Sequence, residues 1–130
     1  MLKVQVIFSY SLALVCILAM TPIFANEQHS VQKQSRNSTK ILLLNGFKRY
    51  HSVCSHCHGP DGLGSSFAPS LVTSPFEPEF FAEIVKDGSN GPNGTMAGYA
   101  NNSDIMNNLD AIYAYINARN KGHLGRGRPQ

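Results

Sequence analysis

The order of apolar and polar positions divides the chain into segments of different character. After Met1-Leu2-Lys3, the residues from Val4 to Met20 are mostly apolar. Asn26 to Asn37 is polar, carries Gln28, Gln32 and Gln34 and shows no apolar period, which predicts a disordered leader. From Ser38 an apolar face recurs at helical spacing through Leu43, Phe47, Tyr50 and Cys54, with Ser38 or Thr39 as the cap. Gly46 falls inside that helix, where it costs about 1 kcal/mol relative to Ala, a position that makes sense if another helix crosses closely there. The breakers Gly59-Pro60-Asp61-Gly62-Leu63-Gly64 end the element, and Phe67 to Leu71 continues as an apolar loop against something buried.

A second helix is predicted over Glu77 to Lys86. Pro75 or Pro78 opens it, Phe80, Phe81, Ile84 and Val85 form its apolar side, and Gly88 stops it. Asp87 to Gly98 holds four glycines and a proline and is predicted to be loop. The last helix runs from a Ser103 cap to about Arg119, with Ile105, Leu109, Ile112 and Ile116 as its stripe and Met106 and Tyr113 widening it. No strand pattern stands out, so the domain is all-α, three main helices over residues 38–120, followed by a flexible basic tail, 121–130.

The apolar start changes where this domain works. Thr21-Pro22-Ile23-Phe24-Ala25 breaks the run and puts a small residue before Asn26, the layout of a secretory signal peptide over residues 1–25, cleaved after Ala25. The alternative is an uncleaved membrane anchor, with 26–37 as its tether. Cys16 leaves with the signal, and Val15 before it fits a lipoprotein site poorly. Only Cys54 and Cys57 then remain, in an exported compartment, which excludes a reducing cytosolic enzyme.

Charge adds little. Loss of Lys3 leaves ten Lys and Arg against eight Asp and Glu, a formal +2. No basic stripe interleaved with aromatics is present, so nucleic acid is set aside. Lys48, Arg49, Lys86, Arg119, Lys121, Arg126 and Arg128 are candidates for steering onto an acidic partner.

The chemistry concentrates in Cys54-Ser55-His56-Cys57-His58. A C-x-x-C pair followed directly by His is the attachment signature of c-type haem. Two thiols three residues apart fit one helical turn and reach two vinyl groups on one porphyrin edge, and His58 follows as proximal iron ligand. A bare C-x-x-C also fits a redox dithiol or half a zinc site. The dithiol wants a βαβ setting and the zinc site a second ligand pair, and the sequence offers neither. A domain of roughly 80 residues buries a marginal core, so a covalent porphyrin would also serve as its staple.

The opposite face of the iron needs a second ligand or stays open. His51 and His56 lie too near the attachment turn, His29 is in the leader and His123 in the tail. Met106 sits on the apolar stripe, where a core methionine is the commoner outcome. Met96 is the favoured ligand. It follows His58 by 38 positions, and Gly94 and Gly98 around it allow close approach of backbone to a ring. A thioether ligand favours ferrous iron and raises the potential.

Together, Gly46-Phe47-x-x-Tyr50, Cys54-Ser55-His56-Cys57-His58-Gly59, Pro69-x-Leu71, Gly94-x-Met96 and the terminal helix with Leu109 and Tyr113 resemble monohaem class I cytochrome c over nearly all of residues 38–120. The resemblance implies the small class I fold around one covalent haem c and a crossing of the first and last helices at Gly46. It also implies Pro69 and Leu71 at the cofactor, with the Pro69 carbonyl orienting the His58 ring. Ala97 departs from the family pattern, which often has Pro after the methionine, and this bears on ligand lability.

Cys57-His58-Gly59-Pro60-Asp61-Gly62-x-Gly64, Phe67-Ala68-Pro69-Ser70-Leu71 and the Gly-Arg-Gly-Arg-Pro ending are similar to periplasmic cytochromes associated with methanol and other alcohol oxidation. That likeness implies a periplasmic dehydrogenase as electron donor, of the quinoprotein (PQQ) kind, and a cytochrome oxidase or another cytochrome as acceptor. The function so implied is a one-electron carrier and not an enzyme. The alternative is an open-site haem enzyme or gas sensor, which requires Met96 to be off the iron.

Overall fold

The computed structural model describes residues 21–92 and 94–130. The apolar run to Met20, and with it most of the expected signal segment 1–25, lies outside the described residues. The chain divides into two compact units, residues 1–37 and Ser38–Gln130, and the second holds the core and the site described below.

Three helices carry the domain, as expected: α1 (Thr21–Arg49), α3 (Pro78–Asp87) and α5 (Leu109–Asn120). Short pieces join them: a wide π turn at Tyr50–Cys54, α2 (Ser55–His58), a 3-10 turn at Pro60–Gly62, strands β1 (Ser89–Gly91) and β2 (Gly94–Met96), and α4 (Ser103–Met106). Among the described residues no helix is long and apolar enough to cross a membrane.

The core is assembled from residues far apart in sequence. Tyr50, Ile105, Ile112, Tyr115 and Ile116 are fully buried, with Phe81 and Val85 beside them. Gly46 is what lets α1 meet α5. A Cβ there would stand 1.9 Å from the Ala111 carbonyl oxygen and 2.8 Å from the Tyr115 Cβ, so only glycine fits. The Phe47 ring meets Tyr115 edge-on at 5.7 Å. On the far side Phe81 of α3 stacks on Phe76 at 5.5 Å, and Tyr113 donates its hydroxyl to the Phe76 carbonyl at 3.2 Å.

Several elements differ from their sequence-based expectation. α1 reaches back to Thr21, through Asn26–Asn37, where a disordered leader is expected. That stretch has no Gly or Pro and is rich in Gln, Lys, Arg and Glu, which propagate a helix without needing an apolar face. Asp87–Gly98 is not wholly loop: β1 and β2 pair antiparallel, with Ser89 opposite Met96 and Asn90 opposite Thr95. Strands of three residues are too short to show a period of two.

The last helix breaks in two. Its cap is Asn102, whose side chain accepts from the Ile105 N–H at 3.1 Å, and not Ser103. At Asn107-Asn108 the Asn108 side chain donates to the Asp104 carbonyl at 2.8 Å, a local bond that competes with helix continuation.

The tail is also ordered. α5 ends with the Gly122 N–H on the Arg119 carbonyl and the His123 N–H on the Ala118 carbonyl, with Gly122 at φ 71°, the Schellman arrangement. This turns the chain back along the domain, and Leu124 packs against the core while Pro129 is buried. The run of glycines and arginines hides this, because backbone donors and one proline do the docking.

Candidate metal centre

The attachment turn forms where α1 loosens. At the π turn the Ser55 N–H reaches the Tyr50 carbonyl. Ser52 and Ser55 hydroxyls donate to the Arg49 and His51 carbonyls at 2.9 and 2.8 Å, side-chain bonds of the kind that bend helices. π turns inside helices recur at functional sites because they re-aim side chains. Cys54, Cys57 and His58 then follow on consecutive turns of this wound segment.

Both cysteines are free thiols, Cys54 half-buried and Cys57 exposed. Burial, ahead of the other influences on it, pushes the Cys54 thiol up to about 11, so it stays protonated near neutral pH. His58 is buried at 9% exposure, and its Nδ1 lies 2.9 Å from the Pro69 carbonyl oxygen. A carbonyl can only accept, so Nδ1 carries the proton and Nε2 is left with its lone pair, the form a metal ligand requires.

The loop from Gly59 to Leu71 is fastened at both ends. Buried Tyr50 donates its hydroxyl to the Gly59 carbonyl at 2.7 Å. The Gly64 N–H bonds the His58 carbonyl at 2.7 Å, and the Leu71 N–H bonds the Gly62 carbonyl at 2.8 Å. Ser65 donates its hydroxyl to the Cys57 carbonyl. Leu71 is half-buried against the core, whereas Phe67, expected to face something buried, is 75% exposed.

Met96 ends β2 and is half-buried against the core. Its hairpin is fixed to α3, with the Tyr99 N–H on the Val85 carbonyl at 2.9 Å and the Gly88 backbone close under the Met96 carbonyl. Met106 is half-buried in α4. His56 is exposed, with Nδ1 3.0 Å from the Val53 carbonyl, and His29 and His123 are exposed.

The residue that sequence reasoning passes over is Asp61. It is 5% exposed, three positions after His58, and takes a positive φ of 57°. Its Oδ1 accepts from the Tyr115 hydroxyl at 3.0 Å and the Gly127 N–H at 3.1 Å. His51 Nε2 lies 3.5 Å from Oδ1, and Arg126 Nε lies 3.6 Å from Oδ2. Arg119 donates to the Asp61 carbonyl at 3.3 Å and to the Leu124 carbonyl at 2.9 Å. Burial would raise the Asp61 carboxyl, but the Tyr115 and Gly127 hydrogen bonds, with Arg119 and His51 nearby, hold it below the usual range. The available signal is an acidic residue inside a Gly-Pro-x-Gly turn, with a Tyr and an Arg one helical turn apart on the last helix.

This also revises the set of steering cations. Arg119 and Arg126 turn toward Asp61, and Arg49 is paired with Asp104. Lys48, Lys121 and Arg128 remain exposed, and Lys86 lies 4.0 Å from Asp87.

The donor set fits a covalent haem: two thiols free of any disulfide, a buried imidazole in the ligating tautomer, and exposed apolar side chains at Leu63 and Phe67 on the following loop. Among the described residues no group of three His, Cys, Asp or Glu side chains is arranged to hold a metal ion. Fold and site together define a class I c-type cytochrome domain.

The family model described as cytochrome C oxidase, cbb3-type, subunit III matches residues 42–116, and the chain belongs to that family. It is 40% identical over 92 residues to cytochrome c-553I of Paracoccus denitrificans, covering 66% of this chain and 41% of that one. It is 34% identical over 86 residues to cytochrome c-555 of Methylococcus capsulatus, covering 64% of this chain and 67% of that one. The crystal structure of the c-type cytochrome XoxG from Methylobacterium extorquens AM1 superposes with a TM-score of 0.65 at 37% identity, over 68% of this chain and 57% of that one. The chain thus spans less than half the length of cytochrome c-553I and little over half that of XoxG. Its cofactor is covalent haem c.

Proposed function

We propose that this protein is a periplasmic one-electron carrier whose haem is attached at Cys54 and Cys57 and ligated by His58 and Met96. The haem supplies reversible cycling between ferric and ferrous iron. The polypeptide fixes the surroundings of that change. Pro69 holds the His58 proton on Nδ1, the Tyr50 hydroxyl pins Gly59 beside it, and the β-hairpin anchored on α3 presents Met96. Ligands held by fastened backbone do not rearrange between oxidation states, which keeps reorganisation small. The observation that carries this reading is the buried His58 ring, locked in its ligating tautomer one residue after a free thiol.

The donor is a periplasmic dehydrogenase of the quinoprotein alcohol-oxidising kind, and the acceptor a cytochrome oxidase or another cytochrome. Support for the donor comes from the run Cys57 to Leu71 and the Gly-Arg-Gly-Arg-Pro ending described above. Export of the chain, matured with haem in a bacterial periplasm, provides the test. The purified protein should keep its haem through acid-acetone extraction, and Cys54→Ala with Cys57→Ala should lose it. A redox titration of the parent should follow a single one-electron curve. Catalytic turnover of peroxide by the parent would contradict the proposal.

A further inference from the structure

We infer that the C-terminal segment from Gly122 to Gln130 is a strap that positions His58 through Asp61. The strap's Gly127 N–H and the Tyr115 hydroxyl both close on Asp61 Oδ1, and Arg119 bridges the Asp61 and Leu124 carbonyls. The neighbouring Gly62 carbonyl accepts from the Leu71 N–H at 2.8 Å and the Ser70 hydroxyl at 3.1 Å. Pro69, directly before Ser70, accepts from His58 Nδ1 at 2.9 Å. The connection therefore runs from strap to Asp61, to Gly62, to the Pro69–Leu71 segment and to the ligand ring, with a hydrogen bond or a peptide bond at every step.

Two features show that this arrangement is built and not incidental. Asp61 stands at φ 57°, a conformation uncommon for a residue with a side chain, and its buried carboxylate accepts from two separate elements, the last helix through Tyr115 and the strap through Gly127. The strap itself is directed onto Asp61 by the Schellman end of α5 and sealed by buried Pro129. Asp61, Tyr115 and Gly127 are positioning residues. They act on the iron only through the Pro69–His58 hydrogen bond, which makes the imidazole a stronger donor and so favours ferric iron.

The test uses the haem-loaded protein and two readouts, amide exchange at Leu71 and the midpoint potential. A chain ending at Lys121 should exchange the Leu71 amide ~10-fold faster, relative to amides of Pro78–Asp87, as expected when a local opening becomes easier. Its potential should shift upward. Asp61→Ala should do the same, while Asp61→Asn, which keeps an acceptor for Tyr115 and Gly127, should restore slow exchange. Unchanged exchange and potential in the shortened chain would overturn the inference. If the shortened chain does not fold, the Asp61 pair decides: equal Leu71 exchange in the Ala and Asn variants overturns it. The inference rests on His58 as ligand, and that premise has its own control. A His58→Ala protein with the parent's oxidised spectrum would remove the premise, whereas an altered spectrum with an inert strap would remove the strap alone.

Discussion

The Tyr115 hydroxyl donates to Asp61 Oδ1 at 3.0 Å across 54 positions of sequence, and both side chains are buried. This bond fastens the last helix to the loop that follows the haem-attachment turn. The acceptor is charged and buried, so losing the donor leaves part of the carboxylate without its partner. Tyr115→Phe is expected to destabilise the haem-loaded protein by about 1.5–3 kcal/mol. Urea unfolding followed by circular dichroism measures it, and a change under half a kcal/mol would mean the bond is replaced by water.

Asp61 should also shape the acid limb of stability. Its carboxyl titrates below the ordinary aspartate range when folded, so its contribution is present above the unfolded value of about 3.9 and is lost as pH falls through the folded one. Thermal melts between pH 7 and pH 2 should therefore drop more shallowly below pH 4 in Asp61→Asn than in the parent, starting from a lower plateau. Parallel curves would place the acid sensitivity elsewhere.

Gly46 offers a sterically cleaner prediction. Its missing Cβ faces the Ala111 backbone carbonyl at 1.9 Å, and a backbone atom within a helix has little room to retreat. Although Ala is the better helix former, Gly46→Ala should lower stability by about 1–3 kcal/mol through overpacking. A gain in melting temperature would show that α1 and α5 separate without penalty.

How much of this was readable in the chain depends on how local each signal is. The three main helices and the attachment turn follow from spacing and breakers within a few residues, and the crossing at Gly46 from the resemblance to class I cytochrome c. The hairpin before Met96 leaves no signal because three residues per strand carry no period, and the break at Asn107-Asn108 leaves none because the apolar stripe runs straight across it. The strap and Asp61 were invisible for a different reason. Their bonds join residues 54 and 66 positions apart, and one donor is a backbone N–H that no side-chain pattern announces.

The small core makes the haem a structural element as well. Among the described residues five large side chains are fully buried, and Leu63 and Phe67 stay exposed beside the attachment turn. Haem-free Cys54→Ala, Cys57→Ala protein should melt without a cooperative transition, since domains of this size lean on a staple. A sharp, native-like melt in scanning calorimetry would show that the polypeptide suffices.

The most direct test of the central claim, a closed haem held by His58 and Met96, is the oxidised optical spectrum of the parent beside that of Met96→Ala. A sulfur-to-iron charge-transfer band in the parent that disappears in the variant, with rapid carbon monoxide binding only by the reduced variant, is the predicted result. A parent that lacks the band and binds carbon monoxide rapidly would contradict it.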